Sequence, residues 1–245
     1  ASTATYTLSL HDALPISSND HATATAKAIS AGIGAGAGND ADVLISPDTS
    51  AYIGNTSVRV TGDVDVAAQA TVNGYAETYG ISAGGLSVGV SLAEATVEPV
   101  VTAYVGGAAS TIQAGRLFVS ATESYPEGGY AARTMATGSS GSLIGINATE
   151  STATNNGIVK SYVANETTLS IGDAVDIKAT GDSNQWAESD SNTYGLVAAG
   201  GNVSDAVSNV TTNAYLGNGV TISGGGVIGG RSEEHTSELQ SPNTI

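Results

Sequence analysis

Two carboxylates, Asp63 and Asp65, flank Val64 in a segment that alternates apolar and acidic residues. In an extended strand residues two apart share a face, which places this pair about 7 Å apart. That separation falls within the roughly 6.5–9.5 Å at which an inverting glycosidase holds its acid and its base with a water between them. The opposing reading is a solvated acidic face. The corresponding positions further along the chain are Arg116 and Phe118, and no aromatic sugar platform stands near the pair in sequence, so the solvated face is favoured. A nucleophilic triad needs a histidine. His21, the only one between residues 18 and 230, alternates with alanines as an exposed strand residue would. The glycines of 32–38 lack the Lys-Ser/Thr ending and the following helix of a phosphate loop, and read as tight corners or close strand contacts. Asn55, Asn147, Asn165, Asn202 and Asn209 each begin Asn-x-Ser/Thr, a triplet that so Ser/Thr-rich a chain produces by chance.

The segment Gly36-Ala-Gly-Asn39-Asp40-Ala-Asp42-Val-Leu44 resembles the Gly/Asp-rich calcium nonapeptide of RTX-type β-rolls, whose turns offer carboxylate and carbonyl oxygens to a hard cation. Such sites need tandem copies, because each ion lies between adjacent turns. Only one copy is present, and in the repeat register given below it aligns with the strand-like Val88–Thr96. A calcium-binding β-roll and a polysaccharide-active enzyme using Asp63 and Asp65 are therefore alternatives. The main expectation is a chain without catalytic, cofactor-binding or metal residues.

Residues that could do chemistry are scarce because the composition is unusual. Of 245 residues, 32 are Gly, none is Cys, and the formal net charge is −16. Absence of cysteine excludes a disulfide scaffold and thiolate metal sites. The acidity, with no basic cluster, argues against nucleic acid and anionic membrane as partners. No apolar run approaches the ~18 residues of a membrane-spanning helix, so membrane insertion is not expected. Small side chains dominate, and these fill a thin core better than a thick one at native packing density.

Both termini stand apart. The stretch Tyr6–Ser17 resembles one reading frame of a short-read DNA sequencing adapter, and Arg231–Ser241 resembles the adapter used at the opposite end of such libraries. Residues 1–17 and 231–245 are accordingly expected to be adapter-derived tails outside the folded unit, as a fusion scar would be. The expected repeat domain is 18–230, with six basic and nineteen acidic side chains.

Within 18–230 a Tyr-bearing strand recurs: Ser50-Ala-Tyr52-Ile-Gly54, Thr102-Ala-Tyr104-Val-Gly106, Lys160-Ser-Tyr162-Val-Ala164 and Asn213-Ala-Tyr215-Leu-Gly217. The tyrosines are 52, 58 and 53 residues apart. Pro47 and Pro99 each stand five residues before a tyrosine, and Gly62, Gly115 and Gly172 each open a short alternating strand downstream. Such register marks four diverged copies of one unit. The tyrosines read as one stacked structural position rather than as separate ligand sites.

Periodicity inside each copy is two: Ala22, Ala24, Ala26 and Ala28 alternate with Thr, Thr and Lys, and Leu86, Val88, Val90 and Leu92 with Ser, Gly and Ser. This is the pattern of strands, and interleaved Thr, Ser and Gly disfavour the helix that alanine alone would allow. Short strands, small inward residues and a period above fifty predict an all-β solenoid, with two or three coils to each repeat. A β-sandwich is the alternative, although its inner faces require bulkier residues.

The Ala/Gly/Val-rich units ending in Ala-Tyr-Val-Gly, followed by Gly-x-Leu/Val-x-Val-x-Ala, resemble the β-strand repeats of very large Gram-negative exoproteins, the filamentous-haemagglutinin-like and leukotoxin-like adhesins. The resemblance covers 18–230 and is one of low-complexity pattern. It implies a right-handed parallel β-helix and export through an outer-membrane secretion partner or autotransporter pore. It further implies an extracellular, cell-surface location and a stalk or adhesin role toward a receptor or glycan on a host or neighbouring cell. It carries over no catalytic residue and no cofactor.

Overall fold

The computed structural model describes residues 16–224 and 227–238. Their secondary structure is all β, in thirteen strands: β1 Ile16–Ile45, β2 Asp48–Ile53, β3 Ser57–Arg59, β4 Val64–Val97, β5 Val100–Val105, β6 Thr111–Ser124, β7 Ala132–Asn155, β8 Ile158–Val163, β9 Thr168–Tyr194, β10 Val197–Ser208, β11 Thr211–Leu216, β12 Thr221–Ser223 and β13 Val227–Glu238. Every pairing is parallel and joins one repeat to the next. Ile16 pairs with Ala68, Gly74 with Ala132, and Ala132 with Gln185. The architecture is parallel and solenoid-like, without the antiparallel hairpins of a sandwich.

This register corrects one expectation. Partners lie one full repeat apart, so each repeat is a single long coil rather than two or three short ones. Within a coil the chain runs along one long arm, reverses at a tip, returns along a second arm, turns a corner and adds a short strand. In the second coil these parts are Val64–Ser82, the tip at 83–86, Ser87–Val97, the corner Glu98-Pro99, and β5. The tip is marked by a change of phase: even-numbered residues face inward up to Ser82 and odd-numbered ones from Ser87 onward. A Cβ on Gly84 would collide with the Gly32 carbonyl of the coil beneath, and one on Gly195 with that of Ser142, so the tip passes at glycine. The 58-residue spacing also has a local cause. Strand β4 is continuous, whereas its partner is divided into β6 and β7 by the loop 125–131, which supplies the extra residues.

The flattened coil encloses two kinds of interior. Where the long arm faces the β2-β5-β8-β11 sheet, larger aliphatics fill the space: Val101, Val105, Ile112, Leu117, Leu169 and Ile177. Where the two arms face each other the fill is mainly Ala, Gly, Ser and Thr, with Val43, Val72 and Val97 toward the corner and Asn147 toward the tip. A Cβ on Gly80 would stand 2.6 Å from Ser91 Oγ, and one on Gly138 2.5 Å from Asn147 Nδ2. Hydroxyls bridge the layers, as where Ser151 Oγ donates to Thr134 Oγ1 at 2.6 Å and Ser91 Oγ to the Thr137 carbonyl at 3.2 Å. In so narrow a space bulky residues must point outward, so the alternation Leu86-Ser-Val88-Gly-Val90-Ser-Leu92 buries Ser87, Gly89 and Ser91 and exposes the aliphatics.

Of the adapter-like ends, residues 1–15 and 239–245 lie outside the described residues. The remainder continues the ladders: Ile16 and Ser17 pair with Ala68 and Gln69, and β13 crosses residue 230, with Arg231 opposite Lys178.

Candidate functional site

The repeat places the four tyrosines in one column. Pairing of β2, β5, β8 and β11 sets Tyr52 beside Tyr104, Tyr104 beside Tyr162 and Tyr162 beside Tyr215. Successive ring centroids are 5.0 Å apart and the ring planes nearly parallel, at 5°, 5° and 6°. The column lies on the outer side of the sheet, since the flanking Ala103 and Val105 face the core. Stacking occupies the ring faces of the two middle tyrosines and leaves the edges outward. Burial, then the neighbouring Tyr215 and Tyr104, raises the Tyr162 phenol above its ordinary value.

The other anchors lie at the bends. The Pro47 carbonyl accepts a hydrogen bond from Val100 N and the Pro99 carbonyl one from Ile158 N, both at 2.8 Å, which ties each corner to the next coil. Gly62, Gly115 and Gly172 stack at the entrance to the long arm. Gly115 N donates to the Gly62 carbonyl at 2.7 Å, and the ladder shifts register between Ala114 and Arg116. Past β5, β8 and β11 the chain adopts left-handed backbone at Ala109 (φ 61°), Glu166 (φ 58°) and Gly219 (φ 70°), a conformation that side chains disfavour and glycine accepts.

The residues with chemical potential do not converge. Asp63 lies in the turn before β4 and Asp65 on its exposed face, opposite Phe118 of the next coil. Partial burial raises the Asp65 carboxyl. On the neighbouring coil Arg116 is paired with Asp173 at 2.6 Å in a solvent-exposed bridge, with Asp63 close enough to add to the field at the guanidinium. Gly36–Leu44 is extended strand rather than turn, and Gly36, Asp40 and Asp42 lie opposite Val88, Leu92 and Glu94, the register expected from the tyrosines. Among the described residues no group of three or more His, Asp or Glu gathers as a metal site. His21 is exposed, with Nδ1 2.7 Å from Asn73 Oδ1. Of the Asn-x-Ser/Thr asparagines, Asn147 is buried between the arms, whereas Asn202 is exposed and its Oδ1 accepts a hydrogen bond from Thr149.

Three arrangements emerge only from the fold. On the outer face of the long arm Tyr75, Arg133 and Trp186 are in register, and Tyr130 of the 125–131 loop joins them. The Arg133 guanidinium carbon lies 4.5 Å from the Trp186 ring centre, 5.3 Å from that of Tyr75 and 5.7 Å from that of Tyr130, a cation–π cluster that holds the loop onto the arm. The loop is tied down further by Asn73 Nδ2 to the Tyr130 carbonyl and Asn184 Nδ2 to the Gly129 carbonyl. Second, Glu123 is sealed inside where the two interiors meet, with Asn155 Nδ2 donating to its Oε1 at 2.7 Å. The third is the apolar outer face of the returning arm.

Fold and ladders together define an all-β repeat protein of parallel, solenoid-like architecture. No protein-family model matches the chain, and neither does any curated protein or solved structure.

Proposed function

We propose that this chain is a structural or adhesive repeat segment, a stalk or adhesin portion, of a large secreted or cell-surface bacterial protein. Its coils are taken to form a right-handed parallel β-helix over 18–230, exported through an outer-membrane partner and presented outside the cell. The observation that carries this reading is the in-register parallel pairing of four copies one repeat apart, with a tyrosine column running through all of them. A stack of this kind lengthens by adding copies without needing a new core, which is what a stalk requires. The outward polar columns offer repeated rather than single contacts, which suits multivalent attachment to a receptor or glycan.

The test is direct. Beads carrying the purified protein are offered to glycan arrays and to intact host and bacterial cells. Saturable retention that free protein competes away is expected on at least one of these surfaces. The same preparation is screened against neutral and acidic polysaccharides beside the double variant Asp63→Asn, Asp65→Asn. Depolymerisation by the parent that vanishes in the variant would replace the adhesive reading with an enzymatic one.

A further inference from the structure

The returning arm inverts the usual partition of a sheet, with Ser and Gly inside and aliphatics outside. Parallel register extends each outward residue into a column: Leu86 lies on Ile144 and Val197, Val88 on Ile146, and Val90 on Ala148. Leu86 is 50% exposed, Ile146 49% and Val197 62%, so these side chains are not covered by the described residues. Columns about 7 Å apart along the strands and coils about 4.8 Å apart give a flat apolar patch of roughly 300 Å² over the second to fourth coils, thinnest in the fourth, where Ala199 and Gly201 continue the Val88 and Val90 columns. A patch of that size is within the range of the largest apolar patch of an ordinary soluble monomer, which is often functional.

We propose that this face packs against the same face of a second copy of the chain, side by side, about a two-fold axis. Chemistry of the face selects the partner. It carries aliphatic side chains without an aromatic platform or donors for a sugar; the formal charge of −16 opposes an anionic lipid surface and also repels a second copy, which weakens the pairing without removing the apolar contact. Its charges are all at one end: toward the corner the same face bears Asp40, Asp42, Glu94, Glu150 and Asp205. With strands of the two copies antiparallel, the apolar ends overlie each other and the acidic ends project in opposite directions. A parallel overlay would set carboxylates against carboxylates, so charge selects the antiparallel two-fold. The three coils that carry the patch would bury about 600 Å² in total, well under half of a standard interface, because the first coil has Gly34, Gly36 and Gly38 at these positions, and the dimer is therefore weak and concentration-dependent. Each additional coil of the same pattern would widen the contact, so longer arrays would bundle side by side. The proposal is independent of the adhesive reading, since a stalk that binds nothing can still bundle.

The chain has no cysteine, which gives a clean test. Ile146→Cys and Val88→Cys are compared under mild oxidation with Thr102→Cys, which lies on the tyrosine-bearing sheet. Disulfide-linked dimers are expected to form at least about tenfold faster for the first two, as effective concentration at the interface requires. In sedimentation velocity the parent's average mass should rise toward that of a dimer between roughly 10 and 500 μM. The double variant Val88→Glu, Ile146→Glu should stay monomeric with an unchanged far-ultraviolet spectrum. Three results would overturn the proposal. One is a parent monomeric throughout; such a parent that instead partitions onto phosphatidylcholine vesicles would make the face a lipid surface. Another is self-association that the glutamates leave unchanged, which would place the contact at the exposed strand edges of the end coils. The last is equal cross-linking at Thr102.

Discussion

Glu123 is the one acidic side chain among the described residues that the fold encloses completely, and its counterparts in the adjoining coils are Ala70 and Gly181. One carboxyl oxygen accepts from Asn155, and the other has no partner. Gly157 approaches so closely that a Cβ there would overlap the carboxyl. Burial pushes the Glu123 carboxyl up to about 7, against the pull of the Asn155 hydrogen bond and with a smaller push from Asp182. The folded chain therefore retains a proton that the unfolded chain, ionising near 4.5, has already lost. Stability contributed by this group is full below the unfolded value, falls as pH rises between about 4.5 and 7, and is constant above. At ~1.4 kcal/mol per pH unit the loss amounts to about 3 kcal/mol. Glu123→Gln keeps an acceptor for Asn155 and cannot ionise. Its urea midpoint should lie above that of the parent at pH 8 and close to it at pH 4.5, and a parent-minus-variant difference that does not change with pH would show that Glu123 is not held protonated.

The tyrosine column is the element that ties one coil to the next on the outside. Tyr104 is stacked on both sides, and aromatic pairs contribute about 0.5–1.5 kcal/mol each beyond their buried area. Tyr104→Ala should thus lower unfolding stability by about 1–3 kcal/mol, whereas Tyr104→Phe, which keeps both ring contacts, should stay within about 0.5 kcal/mol of the parent. Equal midpoints for the two variants in urea would mean that the stack is incidental. This element was legible in the sequence because a column of like residues repeats at the coil period, and the prolines and glycines repeated with it. Tyr75, Arg133 and Trp186 also form a column, but of three different residue types, and it has no signature until the register is known. The number of coils per repeat is hidden in the sequence for a related reason. Strands rarely exceed about ten residues, so a long alternation suggests several short strands, whereas the ladder of β4 runs on for 34 residues through the change of phase at its tip. The narrow interior was equally hidden. Alternation of Leu86, Val88 and Val90 with Ser and Gly shows two faces without showing which is inside, and that depends on how close the opposing arm comes.

At the scale of the whole molecule, the first and fourth coils are supported from one side only among the described residues. Ala24 and Ala26 of the first coil are half-buried, whereas their partners Ala76 and Thr78 in the second are fully enclosed. In the fourth coil Ala206 is exposed, and its partner Ala153 in the third is not. When each coil touches only its neighbours, stability is a sum of coil and interface contributions, and an end coil can open after losing a single interface. Opening free energy should therefore be graded along the stack rather than uniform. Native-state hydrogen exchange resolves this directly. Amides of β5, β6 and β8 should exchange slowest, near the rate set by global unfolding. Those of β1 and β2 at one end, and of β10 and β11 at the other, should exchange at least about tenfold faster, equivalent to about 1.4 kcal/mol or more. The gradient should also steepen from the inside of a coil outward, because Val101, Val159 and Leu169 anchor the aliphatic interior while the tips rest on close backbone contacts at Gly84 and Gly195. Uniform protection across all four copies would mean that the chain unfolds as one cooperative unit, as a sandwich with a shared core does, and the independent lengthening that a stalk needs would lose its physical basis.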